Sequence, residues 1–301
     1  MLREYSQGAA QRAVQPVADF IAPAVSVGAA IGRYKVFTNK SRFRIPETRR
    51  SVGGRAVVLD FDATDGTYNC EPHALDCPVD VVAEGSQEDI QAALQEAADT
   101  VAEVGALAHE KQVVDAALTA LGAGTNVTFG ANDDPIDIID GYILNVLKAA
   151  KYGSLMSVGA LFGATAWKRF KNNPAVRNKF VVGSSAKAGV GFAVPTLDMI
   201  GQLFLGNPEV RASFMVYDAA AEGLDESVSF ILDNSLLLFA RSPNPTRRDP
   251  SFMKTFRMRN RWMVPGTYMR DDGRVEMAKF DWSEDVQTTN STAGIRLNIT
   301  A

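Results

Sequence analysis

The sequence predicts an α+β protein, and three observations carry that reading. Ser86 to Leu121 places apolar side chains at helical spacing without interruption. The stretches before and after it, 33–85 and 255–301, alternate with the two-residue period of strands. Between them, 135–240 changes repeatedly from one period to the other. The chain has 301 residues, 46% apolar and 22% charged, enough for one large domain or two modest ones with a sizeable core. Its 24 Gly and 13 Pro are an ordinary share, which excludes a disordered chain and a fibrous repeat. The net charge of −4 argues against a protein that coats DNA, because such proteins carry a clear basic excess. Nucleic acid is expected as a neighbour, not as a tightly held ligand.

Residues 1–32 mix Gln, Ala and Pro with a weak helical period at Val14, Val17, Phe20 and Ile21, and read as an extended arm with its partners elsewhere. From Arg33 to Gly85, Val57, Leu59 and Phe61 alternate with Val58, Asp60 and Asp62, and Asp65-Gly66 offers the positive φ of a tight turn before Thr67-Tyr68 returns. The expectation is a long hairpin bearing Arg42, Arg44, Arg49, Arg50 and Arg55. An isolated hairpin is marginal in water, so it should lie on a neighbouring subunit or fold back on its own domain.

The helix that follows has Ser86 as cap, Asp89 in its first turn and Gly122 as stop. Its expected stripe is Ile90, Leu94, Ala97, Val101, Val104, Ala108, Val114, Leu118 and Leu121, rich in Ala and suited to packing on a sheet. At 1.5 Å per residue it spans roughly 54 Å. After a Gly- and Asn-rich loop, Asp134 as cap and Pro135 at the first helical position open a helix with Ile139, Tyr142, Ile143, Val146 and Leu147. Ser154 to Val158 is expected as a strand, Thr165 to Asn172 as a helix, and Leu197, Ile200, Leu203 and Phe204 as a short helix. Ser213 to Tyr217 and Ser235 to Phe239 are expected as buried strands. The chain closes as β, with Val275, Met277, Phe280 and Trp282 and then Ile295, Leu297 and Ile299 alternating.

Candidate chemistry is sparse. Cys70, His73 and Cys77 form a C-x2-H-x3-C arrangement that could supply three zinc ligands, but no fourth lies nearby; His109 would have to reach back, and Glu71 or Asp76 are less usual ligands. A thiol hydrolase would need an imidazole set against a thiol, and nothing in the pattern orients such a pair. Two cysteines cannot staple a chain of this size, which fits synthesis in a cytoplasm. Gly189-Val190-Gly191 lacks the third Gly and the Lys-Ser or Lys-Thr of a phosphate loop. Gly159 and Gly163 indicate close packing. Asp133-Asp134 and Asp271-Asp272 suit caps and turns. Arg247, Arg248, Arg257, Arg259, Arg261 and Arg270 concentrate positive charge near the end, either as a solvated face or for bidentate pairing with acidic surfaces of neighbouring copies. No catalytic, cofactor or metal residue is assigned, and no enzyme activity is expected. The uncharged stretch Tyr152 to Trp167 falls short of the ~20 residues of a membrane span. Phe20 to Gly32, broken by Pro23 and preceded by Asp19, makes a poor signal-peptide core, so no membrane partner is expected.

The succession of arm, long hairpin, long helix, compact α/β unit and closing β segment resembles the major capsid proteins of tailed bacteriophages, the Hong Kong 97 phage capsid fold that encapsulins and herpesvirus capsid floors share. RIPETRRSVGGRAVVLDF (44–61) and TYNCEPHALDCPV (67–79) are similar to the extended E-loop of that family, and 86–121 resembles its spine helix. LFGATAWKRFKNNPAV (161–176) resembles a recurrent part of the axial domain, and SFILDNSLLLFARSPNPTRRDPSFMKTF (229–256) the return to the peripheral domain. The resemblance implies an N-terminal arm (1–32), an E-loop hairpin (33–85), a spine helix with peripheral domain (86–134), an axial domain (135–240) and a peripheral β segment (241–301). It implies a structural protein of an icosahedral phage head, a virion component assembled in the host cytoplasm from pentamers and hexamers. Its partners would be copies of itself, scaffolding, portal and decoration proteins, and packaged double-stranded DNA held by weak, non-specific contact. The helical scaffolding segment of some members is not recognisable before residue 33, which implies a separate scaffolding protein or a removed propeptide. The crosslink of some members would call on Lys35 or Lys40 and on Asn290 or Asn298, although no motif fixes these positions. The loops near Gly183 to Gly191, with Phe192, would meet at the five- and six-fold axes. An encapsulin-like compartment shell is the alternative from the same fold, and a metal or thiol hydrolase the alternative from another class.

Overall fold

The structure, a computed structural model, describes residues 17–37, 45, 47–58, 63–84, 86–130, 133–150, 157–179, 197–221, 223–242 and 244–300. Residues 1–16 of the expected arm, Lys40, Arg42, Arg44 and the loop from Gly183 to Phe192 lie outside the described residues. In chain order, α1 (Ala18–Ile21) and β1 (Ala24–Val27) precede the ribbon of β2 (Ile31–Phe37) and β3 (Ala63–Asn69). Next come β4 (Glu71–Asp80), α2 (Val81–Glu84), the long helix α3 (Gln87–Leu121), β5 (Thr125–Thr128) and α4 (Pro135–Ala150). Then follow β6 (Ser157–Phe162), α5 (Ala164–Asn172), α6 (Pro174–Lys179), α7 (Leu197–Gly201), β7 (Glu209–Ala212), β8 (Val216–Asp218), β9 (Val228–Phe230) and β10 (Ser235–Arg241). The chain ends in β11 (Met253–Met258), β12 (Val264–Met269), β13 (Val275–Thr288), a 3-10 turn (Ser291–Ala293) and β14 (Gly294–Thr300).

Two five-stranded sheets organise the described residues. One runs β1-β11-β13-β12 with β4 on the other side of β13; the second runs β5-β14-β10-β6-β7. The helix α3 starts where Ser86 Oγ accepts the Asp89 N–H and stops at Gly122, whose φ of 64° few side chains tolerate. It lies against β13 and β4 as the Ala-rich stripe predicts, but its inner face differs from the expected one. Val104 and Ala108 face outward, whereas Gly105, His109 and Glu110 face inward. Gly105 is where the helix comes closest to the sheet: a Cβ there would stand 3.1 Å from Met263 and 3.6 Å from Trp282.

The second sheet forms the main core with α1, α4 and α5, built from Ile139, Ile143, Phe162, Phe170, Leu237 and Phe239. Asp134 caps α4 by accepting the Ile136 N–H, as expected. Of the strand expected at Ser154 to Val158, Ser154 to Met156 lie outside the described residues, and β6 continues past Val158 to Phe162; within it Gly159 fits beneath Phe20 and Phe239, where a Cβ would come within 2.9 Å of both rings. The strand expected at Ser213 to Tyr217 is divided: β7 ends at Ala212 and β8 begins at Val216. β14, whose alternation resembles that of β13, joins the sheet of β6 and β10 instead, pairing antiparallel with β10 and parallel with β5.

The N-terminal part also departs from expectation. Residues 17–27 belong to this chain's own core: Phe20 and Ile21 are 1% exposed, and β1 pairs in parallel with β11. The turn expected at Asp65-Gly66 does not exist. Both residues lie inside β3, opposite Lys35 and Tyr34. Gly66 is there because the Tyr34 ring crosses it so closely that a Cβ would be 2.4 Å from the ring, and Gly32 lies under Tyr68 in the same way. The described turn is at Ser51 to Gly54, with Gly53 at φ 81° and the Gly54 N–H donating to Ser51 O at 2.9 Å.

Candidate functional site

Two features stand out as sites: a buried polar junction that ties the N-terminal segment, the long helix and the sheet together, and a ribbon whose outer part no described residue covers. The junction centres on Glu284, in β13 and 1% exposed. Its Oε1 lies 2.7 Å from His109 Nδ1, and its Oε2 accepts from Arg257 Nε at 3.1 Å. Arg257 Nη2 is 2.8 Å from His109 Nε2. Arginine carries only donors, so His109 Nε2 accepts, and the ring places its proton on Nδ1, facing Glu284. The guanidinium also reaches Asp19 at 3.3 Å and stacks over the Trp262 ring at 3.5 Å. Burial pushes the Glu284 carboxyl up, but the hydrogen bonds from His109 and Arg257 and the Arg257 charge outweigh it and hold the group below its ordinary value.

The next residue of α3, Glu110, is also 1% exposed. Its Oε2 accepts the Ala18 N–H at 2.8 Å, at the start of α1, while its Oε1 has no hydrogen-bond partner among the described residues. Burial pushes this carboxyl up to about 7, against the opposing pull of the Ala18 and Val17 N–H groups. Phe20 follows as the plug: its ring meets Phe239 edge to face at 5.2 Å and carries the Arg211 and Arg241 guanidiniums at 4.7 and 4.8 Å.

At the root of the ribbon, Tyr34 and Tyr68 stack on Phe256 at 5.2 and 4.6 Å. Beyond the ladder, residues 47–58 are exposed except for half-buried Gly54, including Arg49, Arg50 and Arg55 and the apolar Val52, Val57 and Val58. The outer face of α3 has the opposite character. Glu88, Asp89, Glu96 and Glu103 are exposed, and no Lys or Arg occurs between residues 84 and 110.

The residues weighed for chemistry serve structure. The Cys70 thiol donates to Phe256 O at 3.3 Å, and burial pushes it up to about 11, far from a reactive thiolate. His73 stacks on Trp282 at 5.3 Å, and Cys77 packs between sheet and α3. Among the described residues no cluster of three metal-ligating side chains occurs, and no helix is long and apolar enough to cross a membrane. Asp133 accepts the Gly130 N–H, and Asp272 accepts that of Arg274, in turns as expected. Lys35 pairs with Asp65 at 2.5 Å, the Asn290 amide donates to Pro250 O, and the Asn298 amide donates to Ala123 O. Of the six C-terminal arginines, Arg247, Arg248, Arg259, Arg261 and Arg270 are exposed, whereas Arg257 belongs to the junction. The sequence reading missed Glu110, Glu284 and the partnership of His109 with Arg257. The only signal was three ionisable residues at inward positions of otherwise apolar patterns.

No protein-family model matches the chain, and none of the curated proteins does. Solved structures do. A phage-related protein from Bordetella bronchiseptica aligns with a TM-score of 0.69 at 15% identity, over 98% of this chain and 94% of that one. The capsid structure of the cyanophage P-SCSP1u aligns at 0.55 and 11% identity, over 93% and 86%. The encapsulin of Synechococcus elongatus aligns at 0.54 and 12% identity, over 95% and 88%. The chain has the capsid fold. That fold is shared by phage capsid proteins and encapsulins.

Proposed function

We propose that this chain is the major capsid subunit of a tailed phage, assembling into the pentamers and hexamers of an icosahedral head around double-stranded DNA. The observation that carries the reading is the ribbon. Residues 47–58 bury almost nothing against the described residues of their own chain, yet present three arginines among exposed valines. A chain gains nothing from ordering such a segment unless another surface covers it. The acidic outer face of α3 on an adjacent copy offers a surface of the complementary charge. Subunits of a thin shell have little core each, so large burial between copies has to supply the stability.

The proposed division is an arm at 1–32, an E-loop hairpin at 33–85, spine helix and peripheral domain at 86–134, axial domain at 135–240 and peripheral β segment at 241–301. The proposed role is structural and not enzymatic, in a virion assembled in the host cytoplasm with scaffolding, portal and decoration partners. A net charge of −4 suits a container that touches its DNA without gripping it.

The fold is shared with an encapsulin, so a cellular compartment shell is the second reading. Negative-stain electron microscopy of the purified protein, with a measurement of nuclease-protected DNA, tests both. Closed shells that enclose DNA when produced with the packaging machinery support the head protein. Closed shells that enclose a protein cargo instead support the compartment, and a monodisperse monomer under all conditions refutes both.

A further inference from the structure

A second exposed apolar surface lies apart from the arginine-bearing ribbon. The strands β8 and β9 pair with Val216 opposite Phe230 and Asp218 opposite Val228. Side chains alternate across a strand, so Phe214, Val216, Val228 and Phe230 share one face. All four are exposed by 45% to 58%. The opposite face is anchored: Met215 and Tyr217 pack on the core, and Lys111 sits 4.7 Å over the Tyr217 ring. The outward face is therefore held in place while remaining uncovered.

Its surroundings indicate what covers it. Residues 212–240 contain no Lys or Arg. Asp218, Asp225 and Glu226 are exposed around the apolar face, and neither Asp225 nor Glu226 makes an ion pair among the described residues. The helices α5 and α6 have the opposite composition: 164–179 holds Lys168, Arg169, Lys171, Arg177 and Lys179 and no acid. Arg169 donates to Ile299 O and Lys179 pairs with Asp134, whereas Lys168 is exposed and Lys171 half-buried, three apart on one face of α5, and neither makes an ion pair among the described residues. Lysine stems can lie on exposed Phe and Val side chains while their ammonium groups meet the carboxylates at the rim.

We propose that the β8–β9 face docks on the basic α5–α6 face of a second copy of this chain. The contact rests on the assembly reading above and adds a specific pair of surfaces to it, separate from the arginine-bearing ribbon. A reciprocal charge swap tests it. One chain carries Asp225→Lys and Glu226→Lys, and another carries Lys168→Glu and Lys171→Glu. Each alone is expected to lose roughly ten-fold or more of its assembled fraction in size-exclusion chromatography, with unchanged thermal unfolding. Co-expressed, the two are expected to recover mixed oligomers, because each reversed face then meets a complementary one on the other chain. Adding salt should weaken the wild-type contact. Undiminished assembly of either reversed chain alone overturns the contact, as does a co-expressed pair that folds but stays unassembled. A wild-type chain that never assembles overturns the capsid reading together with this contact, whereas wild-type assembly with insensitive variants overturns this contact alone.

Discussion

Glu110 shows how one residue sets a pH response. Its carboxyl rises from an ordinary 4.5 to about 7, first through burial and then through the Asp19 charge. A raised carboxyl means the folded state disfavours the ionised form, so the stability this group contributes is complete below about pH 4.5 and is lost as pH rises through 7. Glu110→Gln should therefore stabilise the protein at pH 8, by on the order of 3 kcal/mol at most, and flatten the dependence between pH 5 and 7. Urea unfolding at both ends of that range measures it; an unaltered pH dependence in the variant would assign the titration to another group. Gly66 makes a steric counterpart. With the Tyr34 ring 2.4 Å from where its Cβ would be, Gly66→Ala should cost about 1–3 kcal/mol, read as a lower thermal midpoint. An Asp-Gly pair reads as a turn because its conformational freedom is a local property. That a ring from the opposite strand needs the space is not local, so the sequence hides it.

At the scale of elements, the long helix was legible at its ends and misjudged along its face. Ser86, Gly122 and the Asp134-Pro135 pair act on backbone groups within a turn of themselves, so their meaning survives in the sequence. The inner face is chosen by the sheet, which accepts Gly105 for closeness and His109 and Glu110 for their hydrogen bonds while leaving Val104 outside. The His109–Glu284–Arg257 junction links α3, β13 and β11, and through Asp19 it links α1. Removing the guanidinium strands the buried Glu284 carboxylate: Arg257→Ala should cost about 3–5 kcal/mol in chemical denaturation. Glu284 is held below its ordinary value, so its contribution is present above that value and disappears as pH falls through the lowered one. Acid unfolding of the His109→Ala variant should accordingly begin at higher pH than in the parent.

For the whole molecule, the order and length of elements were enough to point to the capsid fold, and the solved relatives at TM-scores up to 0.69 share it. Assembly makes a prediction at this scale. Reversing Arg49, Arg50 and Arg55 to Glu should leave the unfolding free energy of the isolated chain within about 0.5 kcal/mol of the parent, since these side chains are exposed, and abolish particles in electron micrographs. By itself the sequence determined the α+β class, the spine helix with its caps and the closing alternation, because each follows from periodicity or from chemistry within a few residues. Only the tertiary structure decided that residues 17–27 belong to the core, that β14 crosses to the second sheet, that Asp65-Gly66 lies within a strand, and that the distant His109 and Arg257 meet at Glu284. Those outcomes depend on which surfaces face one another across tens or hundreds of residues, and such contacts leave no period in the chain.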